Sequence, residues 1–84
     1  MSYRVKWVST AEQELADIWL HAADRDAVTQ AVHALDHQLQ ADPVNEGESR
    51  PGDRRITFQR PLGIRFRVYP GRQLVRVLQV WRIA

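Results

Sequence analysis

Nine arginines stand in residues 43–84, at positions 50, 54, 55, 60, 65, 67, 72, 76 and 82, and no lysine stands among them. A guanidinium is a planar fork of donors that meets phosphate or carboxylate in bidentate fashion and stacks on bases. Only Glu46, Glu48 and Asp53 oppose this charge, whereas residues 1–42 hold seven acidic side chains against Arg4, Lys6 and Arg25. The net charge of +2 therefore conceals an acidic half followed by a basic one. Nucleic acid is the first partner such a basic half suggests, and the simpler alternative is a solvated basic face.

Other reactive groups are few. The sequence has no cysteine, which removes disulfides, thiolate nucleophiles and cysteine-ligated metal sites. His33 and His37 have the i, i+4 spacing of a chelating pair with Asp36 alongside, but they fall opposite the apolar stripe of their segment and no third ligand is placed. We read them, and His21, as solvated surface, and expect neither metal nor cofactor. Glu48 is the best-placed general base of the basic half. Tyr69 serves either as a strand-end anchor or as a stacking and proton-donating residue, and Trp81 either closes the core or offers a stacking platform.

The elements that must position these residues follow from punctuation and period. All four glycines and all four prolines lie between positions 43 and 71, so the first 42 residues run without a strong backbone breaker. Ser9 with Glu12 forms a capping box ahead of Leu15, Ile18, Trp19 and Ala22, predicting a helix over 10–23. Asp24 or Asp26 caps a second helix over 25–41 carrying Val28, Ala31, Val32, Leu35 and Leu39. Residues 42–53 read as a polar loop containing one large apolar residue, Val44. Beyond it the period becomes two: Ile56 and Phe58 alternate with polar residues, then Leu62, Ile64, Phe66 and Val68 do the same. Pro70-Gly71 suits a type II turn, and residues 74–82 are apolar on both faces, as in an inner strand.

With a strand over 3–8, the order is β-α-α-β-β-β. This is an α+β fold with a helical hairpin packed on one face of a largely antiparallel four-stranded sheet, in one domain over 1–84. Trp7 and Trp19 fall on its core faces. If Ile56, Phe58, Ile64, Phe66 and Val68 face the helices, then Arg55, Arg65 and Arg67 face away, with Arg4, Lys6 and Tyr69 beside them. No apolar run of 18 residues and no signal-like N-terminus is present, which predicts a cytoplasmic protein without a membrane partner.

This pattern resembles the RelE/ParE toxin superfamily of toxin–antitoxin and plasmid-stabilisation modules. The likeness runs through Tyr3-Arg4-Val5-Lys6-Trp7, Leu15-Ala16-Asp17-Ile18-Trp19, Asp42-Pro43, Arg54-Arg55-Ile56, Gly63-Ile64-Arg65-Phe66-Arg67-Val68-Tyr69 and Val75 to Trp81. The resemblance implies a toxin held by a cognate antitoxin, acting as an mRNA endoribonuclease on the ribosome. Arg55, Arg65 and Arg82 match its basic catalytic positions, and Arg54, Arg67, Lys6 and Trp81 would complete the RNA-binding surface. Attack of a 2′-oxygen on phosphorus also needs a base and a proton donor, roles that fall to Glu48 and Tyr69. Thr57 replaces a second lysine common in the ribonucleases, and no tyrosine or histidine follows Arg82. These departures keep two alternatives beside the first: a non-enzymatic poison of DNA gyrase, and a catalytically inert binding module.

Overall fold

The computed structural model describes residues 2–83. The first strand, β1 (Arg4–Trp7), runs without a linker into α1 (Ser9–His21). Val8 makes the join, because its N–H donates to the Val77 carbonyl at 3.0 Å while its own carbonyl accepts from Glu12 N at 2.9 Å. Val8 is thus the N-cap and Ser9 already lies in the first turn, so the predicted capping box does not form. At the other end of α1, Arg25 donates to the carbonyls of Trp19 and Leu20, each at 3.1 Å, and covers the Trp19 ring with its guanidinium at 4.6 Å. A cation satisfying the last carbonyls suits the negative end of the helix. Trp19 is therefore 40 % exposed beneath an arginine, and its assignment to the core is corrected.

Helix α2 (Arg25–Ala41) starts as expected, with the Asp24 carboxylate accepting from Ala27 N at 3.1 Å. Its stripe of Val28, Ala31, Leu35 and Leu39 is buried against Leu62, Ile64, Phe66, Val75, Val77 and Val80 of the sheet, with Ala11 of α1. Each large side chain so buried contributes about 1.5–3 kcal/mol. Trp7 is partly buried at the edge of this core and donates its indole N–H to Asp36 at 3.1 Å.

The sheet has five strands, not four, in the order β1-β5-β4-β3-β2. The additional one is β2 (Glu48–Arg50), three exposed residues within the supposed loop, paired antiparallel with β3 (Arg54–Gln59). Nothing apolar marks β2 in the sequence, because an edge strand this short and polar buries no side chain. Strands β3, β4 (Leu62–Tyr69) and β5 (Leu74–Arg82) are antiparallel, and β1 is parallel to β5, which is thereby an inner strand. The β4–β5 connection is a 3₁₀ turn, Pro70–Arg72, closed by Gln73 in the left-handed region at φ 49°. The type II turn with Gly71 in that role is not formed, since the fixed φ of proline starts the 3₁₀ turn at Pro70 and the reversal falls to Gln73.

Register decides which side chains share a face. Arg55 lies opposite Phe66, Thr57 opposite Ile64 and Gln59 opposite Leu62, so these three polar residues point toward the helical layer. Ile56 and Phe58 point the other way, and Phe58 is 54 % exposed. The expected orientation of β3 is therefore inverted. The polar side chains are accommodated because they find partners: Thr57 donates to Glu46 Oε1 at 3.4 Å, and Gln38 Nε2 donates to Gln59 Oε1 at 3.3 Å. A bulge in β5, facing Arg65 and Phe66, shifts the phase of its second half. Val75 and Val77 lie opposite Val68 and Phe66, whereas beyond the bulge Val80 takes the buried side and Gln79 and Trp81 the open one. Glu14 of α1 supports this segment, accepting from Val80 N at 3.1 Å.

Candidate nucleic-acid interface

Side chains on the open face form ranks running across the strands, with Tyr69, Leu74 and Arg4 making one beside the β4–β5 turn and three more beyond it. In the first of these three, Arg50 on β2 pairs with Arg54 on β3, Arg54 with Arg67 on β4, Arg67 with Arg76 on β5, and Arg76 with Lys6 on β1. Every strand contributes one cation, and the rank spans about 19 Å at the usual strand spacing of about 4.8 Å. Like charges directly opposite one another on a sheet are destabilising, by up to the roughly 0.2–1 kcal/mol that an opposite pair would contribute. Compensation is slight. Glu48 meets Arg50 at 3.1 Å, and it is the only carboxylate in ion-pair range of this rank among the described residues. The Tyr69 ring takes Arg67 at 5.0 Å and Arg76 at 5.3 Å, so this tyrosine lies among the cations as a stacking surface.

The second rank consists of Glu48, Ile56, Arg65 and Gln79. The third is aromatic: Phe58, Gly63 and Trp81 lie side by side, with the two rings edge to face at 6.2 Å and 81°. Gly63 makes this possible, since a Cβ there would come within 2.7 Å of Trp81 and 2.9 Å of Phe58. Trp81 thus belongs to the open face and does not close the core. At the opposite end of the sheet a recess of about 510 Å³ is lined by Arg50, Arg54, Arg55, Arg67 and Tyr69, with Asp53 on its rim.

The structure divides the predicted catalytic arginines. Arg65 is exposed on the open face. Arg55 points to the other side and is occupied: it donates to the carbonyls of Glu46 at 2.8 Å and Gly47 at 3.1 Å and to Ser49 Oγ at 2.8 Å. It tethers β2, the strand that presents Glu48 and Arg50. Gly47 fits there only as glycine, with φ 70° and a Cβ that would overlap the Ile56 carbonyl. Arg82 lies opposite the buried Leu62 and so on the helical side. Glu48, Arg54, Arg67, Lys6, Tyr69 and Trp81 do share the open face with Arg65, although Glu48 is separated from Arg65 by Ile56. Sequence reasoning missed Arg50, Arg76 and Phe58 as members of this surface. The aromatic-glycine-aromatic cluster could be found only from register, since residues 58, 63 and 81 are remote in sequence. On the other side of the molecule, an apolar cleft of about 740 Å³ opens between α1, α2 and β1, lined by Val5, Trp7, Leu15, Trp19, Leu20 and Val32 and rimmed by Glu12 and Asp36.

No family model matches the sequence, and no curated protein matches it. Solved structures do match over nearly the whole chain. The toxin–antitoxin complex RelBE2 from Mycobacterium tuberculosis aligns with a TM-score of 0.81 at 16 % identity, covering 98 % of this chain and 99 % of that one. The E. coli toxin RelE, in the free state and with two arginines changed to alanine, aligns at 0.73 and 16 % identity, over 98 % and 84 % of the two chains. The chromosomal ParDE toxin–antitoxin system from P. aeruginosa aligns at 0.68 and 22 % identity, over 99 % and 98 %. The chain has the fold of the RelE/ParE toxins.

Proposed function

We propose that this protein is the toxin of a type II toxin–antitoxin pair and that it acts as a ribosome-dependent mRNA endoribonuclease through the open face of its sheet. The supporting observation is the cationic rank on a RelE/ParE fold: five in-register positive charges cost stability, which a surface kept only for solubility does not require. Arg65, Arg67 and Arg76 would surround the scissile phosphate, with Glu48 as base and Tyr69 as proton donor. Arg55 enters as a positioning residue that holds the strand bearing Glu48. The apolar cleft between the helices, with Trp19 and Leu20 exposed beside it, would receive the antitoxin.

A second reading, poisoning of DNA gyrase, is supported by the likeness to ParDE over almost the full length of both chains and by the separation of Glu48 from Arg65 by one strand. Induced expression distinguishes the two. The ribonuclease reading expects translation to stop within minutes, with ribosome-protected messages cut, and expects Arg65→Ala to relieve growth arrest by at least about 10-fold without lowering the melting midpoint. Arrest of replication with DNA breaks and intact messages would establish the gyrase reading instead. Growth without effect would leave neither.

A further inference from the structure

Two surfaces of the molecule set exposed apolar side chains among charges, and the charges are opposite. The helical hairpin, residues 9–41, holds Glu12, Glu14, Asp17, Asp24, Asp26 and Asp36 against Arg25. Glu12 and Asp36 border the apolar cleft, where Trp19 and Leu20 are 40 % and 59 % exposed. The open face presents its rank of cations together with the exposed ring of Phe58. Besides Val44, these three are the large apolar side chains left exposed among the described residues. We propose that the cleft takes up the open face of a second copy of this chain, with Phe58 of one copy beside Leu20 of the other and the cationic rank of the first against Glu12 and Asp36 of the second. The proposal needs neither an antitoxin nor a cleavage step, and it goes beyond the reading above by giving the two surfaces to each other.

Three observations carry it. The first is sign: two open faces together oppose cation to cation and two helical layers oppose carboxylate to carboxylate, so only the mixed contact joins unlike charges. Pairing of two β1 edges is likewise disfavoured, since each carries Arg4 and Lys6. The second is shape: Phe58 projects from a sheet, whereas Trp19 and Leu20 stand at a recess of about 740 Å³, so the exposed ring of one copy has an apolar hollow on the next. The third is spacing. Along β3, Phe58 lies four residues from Arg54, about 13 Å at about 3.3 Å each; along α1, Leu20 lies eight residues from Glu12, about 12 Å at about 1.5 Å each. The apolar and charged points of the two surfaces therefore fall in step. Because the contact joins different patches, a pair still offers one free face and one free cleft, and association continues beyond it unless a ring closes. Each contact covers an open face and a cleft together and closes both to other ligands.

Sedimentation velocity on the full chain, treated with nuclease and shown by its absorbance ratio to be free of nucleic acid, tests this over roughly 5–500 µM protein. In about 50 mM salt the weight-average mass should rise with concentration well above the monomer's 9.8 kDa, and in about 500 mM salt it should return toward that value. Arg76→Gln should weaken association about 2- to 5-fold, while Arg72→Gln in the turn should leave it unchanged. Leu20→Lys and Phe58→Lys, each placing a cation at an exposed position of the contact, should each be monomeric. Mixed in equal amounts, these two should form a dimer that grows no further, because the intact face of the first fits the intact cleft of the second while the two altered surfaces repel. Thermal midpoints identify any variant that fails to fold.

A wild-type chain that stays monomeric throughout this range would overturn the proposal, as would association seen only before nuclease treatment, since RNA would then be the bridge. So would association of Phe58→Lys alone, the sign of two helical clefts meeting each other, or a mixture of folded Leu20→Lys and Phe58→Lys that remains monomeric. A protein that arrests growth but stays monomeric keeps the proposed function and loses this contact. One that associates in this way yet neither cuts messages nor arrests growth does the opposite.

Discussion

The two faces of the sheet treat polar groups in opposite ways. Toward the helices, most such groups have a partner close by: Arg55 holds three oxygens, Thr57 meets Glu46, Gln59 meets Gln38, Trp7 meets Asp36, and the Val80 N–H meets Glu14, while Gln38 Oε1 is buried without one. On the open face cations stand beside cations, Phe58 is exposed, and Trp81 and Tyr69 are half-buried. The first arrangement is what folding requires of polar groups close to a core. The second adds little to folding, its like charges opposing one another in register, and is intelligible as a surface kept for a ligand.

The sharpest way to break this contrast is to remove one phenylalanine from each side. Phe66 is fully buried, and Phe66→Ala should cost about 3–5 kcal/mol in urea unfolding. Phe58→Ala, losing one edge-to-face contact in a half-exposed setting, should cost about 1 kcal/mol. Equal costs would mean that β3 pairs in the other phase. Two adjacent arginines make the next comparison. Arg55→Ala should lower stability by about 1.5–3 kcal/mol through its lost charge-assisted bonds, whereas Arg54→Ala should change it by less than about 0.5 kcal/mol. Melting curves of the pair read this directly, and equal midpoints would refute the tether.

Smaller effects sharpen the contrast. Glu14→Ala removes the acceptor for the Val80 N–H and should cost about 1 kcal/mol, with faster hydrogen exchange at Val80 than at Val77. Unaltered exchange at Val80 would show that water satisfies this amide equally well. At the low end, Arg76→Glu places an opposite charge against both Arg67 and Lys6 and should stabilise the fold by about 0.2–1 kcal/mol. That gain should shrink as salt is raised. A loss of stability would show that Arg76 is retained for packing against Tyr69.

Much of this architecture was legible in the residue pattern. The helices could be placed because no glycine or proline interrupts residues 1–42 and because Asp24 is a cap in fact as well as in type. β4 was legible too, since Leu62, Ile64, Phe66 and Val68 alternate with residues that solvent tolerates. β3 was not. Its apolar members Ile56 and Phe58 form a surface, and its inward members are polar groups satisfied by a loop and a helix that are remote in sequence. For Trp81 the pattern leaves two sides open, core or stacking platform, and a single bulged residue that no local composition announces inverts the alternation of β5 and puts it on the open face. The site inherited both difficulties: Arg65, Arg67 and Lys6 lie where alternation puts them, while Arg55 and Arg82 fall on the other side.

The parallel pairing of β1 with β5 has a consequence for biosynthesis. Residues 4–7 wait for residues 74–77, and β4 and α1 also pack on this last strand. A chain emerging N-terminus first, at roughly 5–20 residues per second, therefore lacks an inner strand of its sheet until residues 74–82 have followed the other four strands. Until then Val75, Val77 and Val80 are missing from the core, and the cationic rank lacks Arg76, which joins Arg67 to Lys6. A product that stops short of β5 has neither a closed core nor a continuous cationic rank, so this one strand completes the inside and the outside of the molecule together.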